Sequence, residues 1–148
     1  MRIYLDACCL NRLTDDQTQN RIRQEAAVIE RIIRCIVQQS IQWVSSEALI
    51  DEIERNSIAE RRLSNRALLA VASQTIAVDS AISNRAAGLH VIGYGAYDAL
   101  HLACAEAGGV DVLLTTDDRF IREASRRDGY PLIAVETRYP ALRKTCRG

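Results

Sequence analysis

Acidic residues recur in this chain where a short apolar run hands over to a helical pattern, and acids so placed can hold a cation. Asp6 directly follows "RIYL", and Asp117 and Asp118 directly follow "VDVLLTT". Asp98 stands near the start of the helical stretch "YDALHLACAEAGG". The segment "SSEALIDEIER" brings a further acid, with Glu47, Asp51, Glu52 and Glu54 all open as the choice. In an open parallel sheet, chemistry collects beyond the C-terminal ends of the strands. Carboxylates gathered there repel one another and resist desolvation, so a cation is their natural compensation. Oxygen donors without histidine or thiolate select Mg2+ or Mn2+ over Zn2+. One such ion activates a water, and a second would stabilise the departing oxygen of a phosphodiester.

Each acid also has a plainer role. Asp117 and Asp118 favour a helix N-terminus through its dipole, with Thr116 as cap, and Asp98 can do the same in its own helix. The acids of "DEIER" can line a solvated helix face. Asp6 is the exception, because capping a helix does not explain an acid that closes a buried edge so early. The case for a site rests on separate segments delivering acids to one predicted edge.

Other residues near the acids have chemistry of their own. Arg12 and Arg119 stand close in sequence to the first and last acids, where a guanidinium can grip a substrate phosphate. Asn11 and Thr115 are substrate-binding candidates too, and either can supply a hydrogen bond that orients Asp6. His101 lies three residues beyond Asp98 on nearly the same helix face. Set among Ala99, Leu100, Leu102 and Ala103, it reads as packed and hydrogen-bonded rather than as a general base. Tyr94 and Tyr97 can stack on a nucleobase or pack a loop.

The elements that position these residues follow from hydrophobic period. Strands are predicted at Arg2–Leu5, at "IQWV", at "TIAV", at "VDVLLTT" and at "PLIAVE". Helices are predicted near Cys8–Leu13, over Thr18–Gln39, after Ser45 or Ser46, over Ala59–Ser73, from an Asp79 cap to Gly88, up to Gly108 and Gly109, and through "DDRFIREASRRDG". In the longest of these, Ile22, Ala26, Ile29, Ile33 and Ile36 make one apolar stripe. Alternating strands and helices, with a run as apolar as Val112–Leu114, imply a three-layer α/β/α sandwich around a mostly parallel sheet of about four to five strands. With 148 residues and no linker, the chain is expected to be a single domain over 1–148.

Composition narrows the class. An apolar fraction of 48% and a charged fraction of 26% are those of a globular protein, without a run long enough for a membrane span. "MRIYLDACCLN" reads as a strand and not as a signal peptide, so a cytoplasmic protein is expected. Five cysteines without a C-x-x-C pair, and only two histidines, exclude a zinc framework and suggest reduced thiols. Net charge is zero, but of 19 basic residues only Lys144 is lysine. Arginine's planar fork suits phosphate, which would fit a nucleic-acid substrate, although on composition alone codon bias with solvated helix faces is the simpler account.

Four stretches taken in order resemble the PIN-domain nucleases, including the VapC-like ribonuclease toxins of bacterial toxin–antitoxin pairs. They are "RIYLDACCLN", "VSSEALIDEI", "DALHLACA" and "LLTTDDRF". The resemblance implies a PIN-like fold and a Mg2+- or Mn2+-dependent endoribonuclease. Asp6, Glu52, Asp98 and Asp117 would be its metal-binding and catalytic acids, with Asp118 as an additional ligand. Register from Ser46 selects Glu52 over Glu47. RNA is the implied substrate, an antitoxin the implied partner, and a homodimer the expected assembly. Three features depart from the pattern. Ala7 and Cys8 stand where many relatives carry a hydroxyl residue and asparagine, Arg119 stands where many carry a further acid, and Asp118 fills the position between. A rival from another class is a PIN-like scaffold whose catalysis has lapsed. A receiver domain would need a lysine late in the sheet, and a haloacid-dehalogenase phosphatase an aspartate at Cys8, so both are set aside.

Overall fold

Apolar residues that alternate or run continuously over three to five positions form strands here, and the glycine, serine and aspartate between them start or stop helices. The computed structural model describes residues 1–126 and 134–136. Five strands, β1 (Arg2–Leu5), β2 (Gln42–Ser46), β3 (Gln74–Ile76), β4 (Val112–Leu114) and β5 (Ala134–Glu136), form one sheet in the order β3-β2-β1-β4-β5. Every neighbouring pair is parallel, with Ile3 opposite both Trp43 and Val112. Helices α1 (Ala7–Asn11), α2 (Asn20–Val37), α3 (Glu47–Glu54), α4 (Ala59–Leu68), α5 (Ser80–Val91), α6 (Ala96–Ala107) and α7 (Asp118–Ser125) flank it.

Strand side chains alternate between faces, so one strand feeds two cores. Ile3 and Leu5 of β1 join Trp43, Val112 and Leu114 against Ile29, Ile32 and Ile36 of α2 and Leu49 and Ile53 of α3. Tyr4, between them, points the other way with Val44 and Leu113, into a core shared with Leu89 of α5, Leu102 of α6 and Phe120 of α7. Helices therefore cover both faces, as the alternating pattern predicts.

Several boundaries differ from the sequence reading. The α2 stripe is carried by Ala26, Ile29, Ile32, Cys35 and Ile36, which at 3.6 residues per turn lies roughly 45° round from the expected one. The helix begun by Asp79 runs through Gly88 to Val91 and stops at Gly93, whose positive φ of 124° turns the chain so that the Tyr94 N–H closes on the Leu89 carbonyl at 3.3 Å. α4 ends at Leu68 in a short 3-10 turn, Leu69–Val71. β4 stops at Leu114, and Thr115 and Thr116 leave the strand to build the turn into α7. Of "PLIAVE" only Ala134–Glu136 lies among the described residues, and the expected helix through "SRRDG" is described as far as Ser125 with its cap at Arg126. Cys8, Cys9 and Cys104 carry free thiols, in keeping with the expectation for these three. No helix among the described residues is long and apolar enough to cross a membrane.

Candidate metal-binding site

Strand order reverses at β1. The chain leaves β1 through helices on one face to reach β2, while β4 lies on its other side and leads into α7 on the opposite face. A crevice opens at such a reversal, beyond the C-terminal ends of the two adjacent strands. Asp6 follows β1 and Asp117 closes the turn after β4, so both are delivered to its rim. Asp98 comes from the first turn of α6 and Glu52 from α3.

Asp6 is 4% exposed, and it is held rather than merely placed. Its Oδ1 accepts the backbone N–H of Cys9 at 3.2 Å and the thiol of Cys8 at 2.7 Å. Burial first, and the neighbouring Cys8 next, push its carboxyl well above the ordinary aspartate range, while a hydrogen bond from Thr115 opposes them. Thr115 is fully buried; its hydroxyl lies 3.3 Å from Cys8 Sγ and accepts the Asp117 N–H at 3.1 Å. Cys8 Sγ in turn accepts the Thr116 N–H at 3.3 Å. Asp117 caps α7, its Oδ1 accepting from the N–H groups of Arg119 at 2.9 Å and Phe120 at 3.4 Å. The two strand ends are thus tied together by Cys8 and Thr115. Sequence reading reached Thr115 as a donor to Asp6 but overlooked Cys8. The thiol stands where the resemblance put an asparagine, and it gives Asp6 a donor in its stead.

Asp98 reports that the acids converge. Its carboxyl is pushed up to about 7, by burial first, then by the negative charges of Asp117 and Asp6, with Glu52 adding to them and His101 opposing. Glu52 is partly exposed and lies with Oε2 3.3 Å from His101 Nε2. Glu47, the alternative, is exposed in the first turn of α3, where its charge is felt by Cys104. His101 is 1% exposed and its Nδ1 lies 2.6 Å from the Tyr4 hydroxyl, so it is packed and hydrogen-bonded.

The donor set fits a hydrated hard cation better than a stripped one. No three of the four carboxylates bring oxygens within 4.8 Å of one another; among the described residues only Asp6, Cys8 and Cys9 place three donor atoms so closely. Mg2+ commonly keeps several waters and takes one or two carboxylates directly, which suits acids spread around a crevice. Three carboxylates whose charge presses on the partly buried Asp98 are the arrangement that such a cation relieves.

Other expected site residues are engaged elsewhere or lie free. Asp118 is exposed, and both its oxygens accept from Arg21 at 2.8 Å, so this carboxylate is committed to α2 and not to the crevice. Arg21 also reaches the Thr116 carbonyl at 3.3 Å, which sets the start of α2 beside the β4–α7 turn. Arg12 is locked between Asp15 at 2.7 Å and Glu25 at 2.6 Å, leaving it little freedom to meet a phosphate. Asn11 accepts from the buried Asn65 at 2.8 Å rather than orienting Asp6. Arg119 is exposed beside Asp117. Tyr94 is buried edge-on to Phe120, and Tyr97 stacks on His101 while its hydroxyl donates to Asp51 at 2.6 Å. Tyr94 is therefore a core residue, and Tyr97 walls the His101 pocket.

Known proteins match this architecture. The PIN domain family profile covers residues 3–125. The chain is similar in structure to VapBC2 from Rickettsia felis, solved bound to a DNA fragment from its promoter, with a TM-score of 0.59 and 14% identity over 92% of this chain and 98% of that one. It is likewise similar to DNA-bound VapBC from Salmonella typhimurium, with a TM-score of 0.56 and 19% identity over 92% and 97% of the two chains. No curated protein sequence matches it. At these identities the structural likeness speaks for the fold, and the profile match, running from β1 to the end of α7, places the chain in the PIN-domain family.

Proposed function

We propose that this protein is a Mg2+- or Mn2+-dependent endoribonuclease and the toxin member of a toxin–antitoxin pair. The observation that carries the proposal is that Asp98 feels the charge of Asp6, Glu52 and Asp117, which come from three other segments of the chain. Membership of the PIN family and likeness to two VapBC structures support it, and the latter favours an antitoxin protein as partner. The four acids would hold the cation, which when bound supplies Lewis-acid activation of water and neutralises charge at a phosphodiester. Asp98 must release its proton to take part, and with its carboxyl near 7 that release falls close to neutral pH. Cys8 and Thr115 hold Asp6 and Asp117 in register across the two strand ends. Exposed and next to Asp117, Arg119 is the candidate for meeting substrate phosphate.

The test is cleavage of defined RNAs by the purified protein with Mg2+, with Mn2+ or with chelator, beside Asp98→Asn. Cleavage that needs the metal and disappears in the folded variant is expected. A folded wild type without metal-dependent cleavage would overturn the assignment in favour of an interaction scaffold, and a variant as active as wild type would overturn the assignment of this site.

A further inference from the structure

Behind Glu52 the structure carries a chain of buried polar groups that the proposed metal site does not itself use. Ser46 is fully buried and caps α3, its Oγ accepting the Leu49 N–H at 3.0 Å. The same Oγ lies 2.6 Å from the Tyr4 hydroxyl, which lies 2.6 Å from His101 Nδ1. His101 Nε2 then faces Glu52 Oε2 at 3.3 Å. Tyr97 stacks on the imidazole with ring centroids 6.1 Å apart, and Tyr4 packs against it at 5.5 Å. Four elements, β1, β2 with its cap, α3 and α6, thus meet at one ring.

Counting hydrogens decides the direction of this chain. Tyr4 has one O–H and two close partners, so it can donate to only one of them. If it donates to Ser46, a neutral His101 must carry its proton on Nδ1, and a bare Nε2 lone pair then faces the Glu52 carboxylate. That arrangement sets two acceptors against each other. If Tyr4 donates to Nδ1, Ser46 donates to Tyr4, and the imidazole proton sits on Nε2, where it meets Glu52. Each donor then has an acceptor, as buried polar groups require.

Resting on the metal-site reading above, we propose that His101 is a positioning residue: fixed as the neutral Nε2–H tautomer by the Tyr4 hydroxyl, it aims the Glu52 carboxylate into the crevice. The chain is a loop in structural terms, since Ser46 begins the helix on which Glu52 rides. Partners behind a ligand hold its orientation, and losing one typically costs about 10- to 100-fold in metal affinity.

Two measurements test this. The first is 15N NMR of the imidazoles in metal-free wild-type protein, where only His90 and His101 contribute and His90→Gln assigns them. A protonated Nε2 with an unprotonated Nδ1 at His101 is expected; the opposite tautomer, or protonation at both nitrogens, overturns the proposal. The second is Mn2+ binding by isothermal titration. His101→Asn keeps an acceptor near Nδ1 but removes the donor to Glu52, whereas His101→Gln keeps a donor near Nε2. The asparagine variant should lose about 10-fold or more in affinity and the glutamine variant should recover part of it. Tyr4→Phe, which preserves the core volume, should weaken Mn2+ binding in a folded protein even where a His101 variant fails to fold. Equal affinity in wild type, His101→Asn and Tyr4→Phe overturns the positioning role alone, because Asp98-dependent Mn2+ binding would still stand. Absence of Asp98-dependent Mn2+ binding in wild type overturns the metal-site reading and this role with it, whatever the tautomer.

Discussion

Replacing Asp98 with asparagine should make the metal-free protein more stable at neutral and alkaline pH while ending its cleavage of RNA. The wild-type carboxyl is pushed from the ordinary 3.8 to about 7, chiefly by burial and by the charges of Asp117 and Asp6. At about 1.36 kcal/mol per pH unit, that difference corresponds to roughly 4 kcal/mol. Asp98 keeps some contact with solvent, which screens the repulsion, so we expect about half of this, roughly 2 kcal/mol. The sign follows from the raised value. A carboxyl that binds its proton more tightly in the fold favours folding below about pH 4, and that contribution is lost as pH rises from about 4 to about 7. Asparagine does not titrate, so the variant should match wild type near pH 4 and gain on it up to about pH 7, with a constant gap above. At about 2–4 °C per kcal/mol for a chain of this size, the gap at pH 8 is about 4–8 °C in Tm. Thermal unfolding followed by circular dichroism in chelator, at several pH values, measures it. Added Mn2+ should then raise the Tm of wild type and leave the variant unmoved. A variant no more stable than wild type at pH 8, or a gap independent of pH, would refute the claim that these carboxylates press on one another.

Other perturbations follow from particular contacts. Gly108→Ala should cost about 1–3 kcal/mol by chemical denaturation, although the backbone there would accept alanine, because the added carbon would lie 2.8 Å from Val44 Cγ1. Ser46→Ala removes the α3 cap and the partner of Tyr4 at one stroke, and should cost about 1–2 kcal/mol in the same assay. Arg119→Ala touches no packed group and should leave stability within about 0.5 kcal/mol, while KM for RNA rises and its salt dependence flattens.

Much of the fold was legible in the sequence because its signals are local. The runs "RIYL" and "VLL" are strands in themselves, and Asp79 and Ser46 cap helices wherever those helices pack. What escaped depends on neighbours distant in sequence. Gly88 reads as a stop, yet the helix continues through it, and the glycine that turns the chain is Gly93, with its positive φ. Among the acids, Asp6, Asp98 and Asp117 were marked by their places after strands or at a helix start, but choosing Glu52 over Glu47 needed register, because both lie on the same helix. Asp118 and Arg12 could not be told from site residues without knowing that Arg21, Asp15 and Glu25 would claim them. Cys8 was invisible as a partner for Asp6, since its role arises only when Thr115 and Thr116 of a distant turn fold onto it.

The central position of β1 has a consequence for synthesis. β1 lies in the middle of the sheet, and one of its two neighbours is β4, which is made long after it. The tie between Arg2 and Asp111 spans 109 residues. Long-range parallel pairing of this kind is slow to form. A nascent chain therefore carries an open edge and half a crevice until β4 and α7 have emerged, and whatever chemistry the crevice performs stays off until then.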